Sequence, residues 1–390
     1  MRLDSLLITD YRNFTRIELA LSPGAMILVG DNAQGKSNLL EAIYLLATMR
    51  AVHAQTEGQV IRVEALHDVL PAARVVGEVT TSEGPLKIEV TVMSRSGPGR
   101  PATKTVKVNG APKRVTHAIG RLTAVLFTAD DMEMVMGGPS LRRRYLDVTL
   151  SQVDPRYAAS RSRFERVMSQ RNALLKRIRE GSAKADELVY WDDELSLHGA
   201  IVMQSRRDAV GRLARLAAEF HARLAPGEEL EVNYAPSLEM ASTGSGDAAD
   251  SLQPAYSDRL RLTHQRDIAA GMTLTGPHRD DVRFGLNGFS ASGFASRAQQ
   301  RTIALSLRLA ETKFLAVQRG EPPILLLDDI LSEMDASRRV TVMSSIAGAE
   351  QVIVTGTDME AFPESFRSTA KLFAVERGSV RSLTGERAPA

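Results

Sequence analysis

The residues of this chain best placed to do chemistry are Gly30, Gly35, Lys36 and Ser37. Within GDNAQGKS they satisfy the pattern Gly-x4-Gly-Lys-Ser/Thr, after the apolar run 25–29 and before a helical pattern. A loop of this kind turns the amides of Asp31, Asn32, Ala33, Gln34, Gly35, Lys36 and Ser37 toward one point at the positive end of a helix. Phosphates bind there. Lys36 then reaches the β- and γ-phosphates and the Ser37 hydroxyl ligates magnesium, so the expected ligands are ATP and Mg2+. The competing reading is a plain glycine-rich turn.

A second group lies roughly 290 residues downstream. The run 324–327, Ile-Leu-Leu-Leu, ends in Asp328 and Asp329. Asp328 is placed to hold magnesium through water, and Asp329 to polarise the attacking water. A strand ending in aspartate is commonplace alone; beside a phosphate loop in the same chain it takes the form of a Walker B segment. A third group, Ser296, Arg297 and Gln299 in GFASRAQ, opens another helical pattern. Ser296 and Gln299 have capping-box spacing, which accounts for both structurally. The same helix start, with free amides and partial positive charge, also suits the γ-phosphate of a nucleotide held by another subunit.

Strands and helices must position these groups. Runs 2–8, 16–21 and 25–29 read as strands, and Leu39, Leu40, Ile43, Leu45 and Leu46 put a helix behind Ser37. Runs 73–81, 86–94, 105–108 and 122–127 are strand-like, with Asn109-Gly110 as a hairpin turn. Beyond Phe127 the apolar residues fall three and four apart, giving a helical insertion interrupted near Gly181-Ser182, with continuous stretches of about 30 residues at most. That is a short arm and not a long coiled coil. Residues 241–251 read as a mobile polar loop. Strands return at 323–328, 351–355 and 371–375, with helices at 296–318 and 336–347. The fold expected is α/β: an ATPase core with a β-rich lobe, split into 1–127 and 271–390 around a mainly helical arm at 128–270.

Composition sets limits. The chain of 390 residues, 43% hydrophobic and 25% charged, is long enough for two or three domains. Having no cysteine, it lacks disulfides, thiolate zinc sites and cysteine nucleophiles, which suits a reducing cytosol and so a cytoplasmic address. No apolar run approaches the roughly 20 residues of a membrane span. Net charge is only +2, but residues 139–225 carry 17 Arg and Lys against 11 Asp and Glu. Within that basic stretch Arg142, Arg143, Arg144, Arg161, Arg163, Arg171 and Arg177, with Arg206 and Arg207, are candidates to track DNA phosphates. A solvated helical face is the rival account. Aromatic residues are sparse there, which favours duplex backbone contacts over single-strand stacking.

Together the three segments resemble the ABC-type ATPase head, in which the signature segment of one head completes the site of its partner. At higher resolution the chain resembles the RecF family end to end. The matching stretches are LLITDYRNF at 6–14, GDNAQGKSNLLEAIYLLAT at 30–48, GGPSLRRRYLD at 137–147, YWDDELSLHGA at 190–200, TGPHRDD at 275–281 and LLLDDILSEMD at 325–335. The resemblance implies an ATP-dependent homodimer that closes on duplex DNA and duplex/single-strand junctions near gaps. It also implies cooperation with RecR and RecO, RecA loading, and a part in the SOS response. By the same resemblance Arg12 and Asp335 lie near the nucleotide, and His278 and Arg279 contact nucleotide or partner, although a histidine after a Gly-Pro turn is also a common structural element. Departures bear on mechanism: Ala298 replaces the usual signature glycine, Ala33 a phosphate-loop glycine, Ala129 a proline and Met334 a leucine. Asp329 is one methylene shorter than the glutamate of fast ABC ATPases and no histidine follows the strand ending at Thr355, so a weak, DNA-stimulated ATPase is expected. The alternative is a nucleotide-binding interaction scaffold with a vestigial site. A transporter ATPase fits poorly, given the long spacing between Walker segments, and a small-molecule kinase has no use for the basic arm.

Overall fold

In the computed structural model, which describes residues 1–94, 102–238, 248–331, 334, 336–346 and 348–383, strands dominate the first third of the chain. They are β1 (Arg2–Tyr11), β2 (Phe14–Ala20), β3 (Gly24–Val29), then α1 (Lys36–Thr48), β4 (Ala72–Thr81), β5 (Gly84–Ser94), β6 (Ala102–Val108), β7 (Ala111–Lys113) and β8 (Ala124–Phe127). Long helices follow: α2 (Pro139–Val153), α3 (Pro155–Arg179) and α4 (Leu188–Leu224). After these come β9 (Leu230–Ala235), α5 (Ala248–Ala270), β10 (Asp281–Leu286), β11 (Phe289–Ser290) and α6 (Arg297–Arg319). The chain ends with β12 (Ile324–Leu327), α7 (Ala336–Ile346), β13 (Gln351–Gly356), β14 (Lys371–Glu376) and β15 (Ser379–Ser382).

Two compact units result, one formed by residues 1–131 with 305–390 and the other by 132–304. The boundaries differ from those expected at 127/128 and 270/271. Residues 271–304 group with the insertion because β10 pairs antiparallel with β9 along its length, from Asp281 opposite Ala235 to Leu286 opposite Leu230. Sequence periodicity reveals a strand but not its partner.

The first unit holds two six-stranded sheets. One is antiparallel, in the order β2-β1-β4-β5-β6-β7, and the other runs β15-β14-β3-β13-β12-β8 with only β15 antiparallel. The parallel strands read as continuous apolar runs because both of their faces are covered; every residue of β12 and β13 is buried. Helix α1 contacts strands of both sheets, which explains why 11 of its 13 residues are buried and why its sequence is apolar nearly all round. Asn109 and Gly110 both have positive φ, 51° and 80°, as a two-residue I′ hairpin demands.

The second unit is built on an antiparallel helix pair, α3 and α4, joined through a turn in which Gly181 takes φ 73°. Helix α4 runs for 37 residues, longer than the sequence implied. Helix α5 packs on it, around a core that includes Phe164, Leu195, Met203, Tyr256 and Leu260. The polar loop expected at 241–251 is a helix from Ala248 onward, and the rest of it lies outside the described residues.

Candidate functional site: a phosphate loop over a parallel sheet, and a capped helix start

The strand order β12-β13-β3 brings the two Walker segments together. Thr355 of β13 stands opposite Leu28 of β3, and Leu327 of β12 opposite Val354, so the three strands end nearly flush. At about 4.8 Å per strand step, this sets Asp328 beside Thr355, with Gly30 two residues past Thr355's partner Leu28, at the same end of the sheet. Asp328 and Asp329 are joined to that end by one hydroxyl. The Thr355 Oγ1 donates to Asp328 Oδ1 at 2.8 Å and accepts from the Asp329 N–H at 2.9 Å. Asp329 itself takes a left-handed backbone, φ 49°. Sequence reasoning passed over Thr355, since nothing in a strand-end threonine identifies the neighbouring strand.

The phosphate loop is held on both flanks. Asn13 Nδ2 donates to the Gln34 carbonyl at 3.0 Å, Asn38 Nδ2 donates to Asn13 Oδ1 at 2.8 Å, and the Arg377 N–H donates to Gln34 Oε1 at 2.6 Å. The approaches leave no room for side chains: a Cβ on Gly35 would meet Asn13 Nδ2 at 2.5 Å, and one on Gly30 would meet the Val375 carbonyl at 2.2 Å. Asp31, Asn32, Ala33 and Ser37 are exposed, so the concave side of the loop is open. Lys36 Nζ donates to the carbonyls of Gly30 and Asp31 at 2.5 and 2.8 Å. Burial pushes the Lys36 ammonium pKa down, against the opposing pull of Asp329, Asp328 and Asp31. A cleft of about 460 Å³ continues from the loop between Gly30, Gln34, Asp358 and Arg377.

Mg2+ characteristically takes one or two protein oxygens plus phosphates and water, and the exposed Ser37 hydroxyl and the partly exposed Asp328 carboxylate are the oxygens here that could serve it. Arg12, with φ 55°, points its guanidinium at Glu41 of α1, with bonds of 2.8 and 2.9 Å, and at the Gln59 carbonyl. Burial pushes the Glu41 carboxyl up, but Arg12 and the His53 N–H outweigh it and hold the group below the usual carboxylate range. Arg12 thus braces α1 beside the loop that Asn13 ties down. Asp335 lies outside the described residues.

In the second unit, Ser296 and Gln299 form the capping box read from the sequence. Ser296 N–H donates to Gln299 Oε1 at 2.9 Å, and the Gln299 N–H reaches Ser296 Oγ at 3.3 Å. Ser296, Arg297 and Ala298 are exposed at the start of α6. Just before them, Phe289 and Phe294 stand 64% and 76% exposed with ring centroids 5.8 Å apart. An apolar pair in water beside a helix start is a feature that composition did not disclose.

Several basic residues do not sit where a DNA contact requires. Arg171 is fully buried, bonded to Asp192, Asp267 and the Thr273 hydroxyl at 2.8 to 2.9 Å. Arg142 is buried in a two-bond pair with Asp281, at 2.7 and 3.0 Å. Arg206 is buried between Asp147, the Tyr157 hydroxyl and the Pro277 carbonyl. Burial pushes the Asp147 carboxyl up, but Arg206, Arg161 and the Tyr157 hydroxyl outweigh it and hold the carboxyl below its usual value. Arg171 and Arg206 tie helices together and Arg142 ties α2 to β10, correcting the expectation for all three. Arg161 is largely enclosed by Asp147 and Glu165, Arg143 donates to the Asp280 carbonyl, and Arg163 pairs with Glu194 at its half-exposed position. Arg144 and Arg177 are exposed, as are Arg166, Arg212 and Arg215, which sequence reasoning had not singled out. His278 Nε2 lies 2.9 Å from the Thr273 carbonyl and its ring centroid 5.9 Å from that of Phe164.

Comparison with known proteins places the arrangement. The chain is 39% identical over 391 residues to a protein of Roseiflexus castenholzii named DNA replication and repair protein RecF, covering 97% of this chain and 99% of that one. The chain belongs to the RecF family. A Staphylococcus aureus RecF is 34% identical over 385 residues, covering 97% of this chain and 100% of its own, and the family model RecF/RecN/SMC N terminal domain matches residues 2–381. A solved RecF structure, described as the recombination mediator RecF with ATP in the RecFOR pathway, superposes with TM-score 0.86 at 29% identity over 98% of this chain and 97% of its own. An Smc head bound to the C-terminal winged helix of ScpA shares the fold, with TM-score 0.54 at 16% identity, over 100% of this chain and 99% of that one. The ABC-type head architecture read from the motifs is therefore the architecture of this RecF-family chain. Among the described residues no helix is long and apolar enough to cross a membrane.

Proposed function

We propose that this chain is an ATP-dependent DNA-binding switch of recombination repair. ATP with Mg2+ occupies the loop from Gly30 to Ser37, the exposed helix start at Ser296 meets the nucleotide of a second copy, and the dimer closes on duplex DNA beside single-strand gaps. The observation that carries the reading is the end of the sheet itself. One threonine hydroxyl fixes Asp328 and Asp329, whose charges act on the buried lysine of a loop that keeps Asp31, Asn32, Ala33 and Ser37 exposed. Bound magnesium would neutralise phosphate charge between Ser37 and Asp328. Asp329 orients water from a short side chain, so hydrolysis is slow and serves to reopen the dimer. The exposed Phe289 and Phe294 supply apolar area next to the helix start that a second copy would cover. Exposed Arg144, Arg166, Arg177, Arg212 and Arg215 supply the phosphate contacts. The RecFOR pathway named for a solved relative supports RecR and RecO as partners of this chain, and the family resemblance extends the role to RecA loading and damage signalling.

Sedimentation of the wild type and Lys36→Arg, with and without ATP and magnesium and then with duplex DNA at two salt concentrations, tests the switch. The wild type is expected to dimerise with ATP and to bind duplex in a salt-sensitive manner, and the variant to do neither. DNA binding that ignores nucleotide, with Lys36→Arg behaving as wild type, would instead establish an interaction scaffold.

A further inference from the structure

The carboxamide of Gln299 has a second partner besides the capping box. Its oxygen accepts from the Ser296 N–H, and its nitrogen donates to Glu228 Oε1 at 2.8 Å. The other oxygen of the same carboxylate, Oε2, lies 3.1 Å from His221 Nε2. His221 is fully buried in the last turn of α4, and Glu228 follows a tight turn at Gly227, φ 92°, that leads into β9. One carboxylate therefore joins the end of the 37-residue arm helix to the first turn of α6. Without it, the Gln299 amide would lose a charge-assisted bond and its χ angles would be set by the weaker capping contact alone.

We propose that Glu228 is a positioning residue for the helix start at Ser296, and that through His221 it makes the aim of that helix start depend on the seating of the arm. This inference rests on the reading that Ser296 to Gln299 meets a nucleotide held by a second copy. Glu228 touches no nucleotide in that reading; it acts through Gln299. Loss of the bond leaves the capping box able to fray, so the amides that must face the phosphate are no longer held before binding.

The test uses full-length protein and two measurements. Millisecond amide exchange across residues 296–301 in the nucleotide-free chain reads positioning directly. Glu228→Ala is expected to speed exchange there by up to about tenfold relative to the rest of the chain. Gln299→Glu, which sets two carboxylates against each other, should do at least as much. The double variant Glu228→Gln with Gln299→Glu exchanges donor and acceptor, and should restore wild-type exchange even if Glu228→Ala fails to fold. A melting temperature that falls while exchange at 296–301 stays level, or a double variant no better than its parents, overturns the proposal. Sedimentation with ATP then reads the consequence: Glu228→Ala is expected to self-associate about tenfold more weakly at unchanged single-chain nucleotide affinity. If wild type itself does not associate with ATP, the dimer reading fails, and the exchange result still decides the role of Glu228.

Discussion

Lys36 and Asp328 come from opposite ends of the chain, and a single side chain at the end of β13, Thr355, holds both aspartates of the candidate site. Replacing Thr355 by valine keeps the shape and deletes the hydroxyl that bonds both aspartates, an interaction of about 1–3 kcal/mol when its partners are buried. ATP turnover and the magnesium dependence of nucleotide binding are expected to fall about tenfold in Thr355→Val and to survive in Thr355→Ser; equal behaviour of the two variants would remove Thr355 from the site. Ala33 offers a separate test. It adopts φ 64°, a left-handed conformation in which a Cβ costs roughly 1–2 kcal/mol. Valine, branched at Cβ, aggravates that strain, so Ala33→Val should weaken nucleotide binding by about tenfold in a titration, whereas Ala33→Gly should bind at least as well as wild type. The glycine usual at this position is thus explained by backbone conformation, and its absence here is tolerated because alanine bears the smallest Cβ. The motif residues were legible in the sequence; which neighbour holds them was not, because Thr355 gains its hydrogen bonds from the strand placed beside it.

Basic residues on the helices divide by exposure, and the division follows from what each helix face meets. On α3, Arg171 faces α4 and α5 and neutralises Asp192 and Asp267, while Arg166 and Arg177, three turns apart, face water. Arg171→Met leaves two carboxylates buried without their cation, a loss of about 3–5 kcal/mol, on the order of 10 °C in thermal unfolding. Arg177→Ala should shift melting little and lower the slope of log affinity for duplex against log salt by about one. An Arg171→Met protein that melts like wild type would refute the buried-network account, and a salt slope unchanged in both Arg166→Ala and Arg177→Ala would remove α3 from the DNA surface. Helical periodicity located these helices from the sequence. It misjudged their arginines because a charged side chain is expected outside until an aspartate far along the chain, such as Asp267, is brought beside it.

At the scale of the whole molecule both units carry buried ion pairs, Arg308 with Asp131 in the first and Arg142, Arg171 and Arg206 with their aspartates in the second, so acid should weaken each of them. Asp147 has a folded pKa below its unfolded value near 4, so its contribution is complete above that pH and is lost as pH falls through the folded value. Urea midpoints of the second unit's transition should therefore decline between about pH 5 and pH 2, and Asp147→Asn should be less stable at pH 7 but flatter over that interval; parallel curves would contradict the assignment. By itself the sequence determined the phosphate loop, the aspartate-ended strand, the capping box at Ser296 and the succession of strand-rich and helical regions, because each is written in neighbours a few residues apart. Tertiary structure decided what rests on distant pairing. The β12-β13-β3 order gives Thr355 its task, the β9–β10 ladder moves 271–304 into the helical unit, and carboxylates remote in sequence take Arg142, Arg171 and Arg206 out of solvent. Local pattern records which face of a strand or helix is apolar, but it carries no information about which chain segment will cover that face.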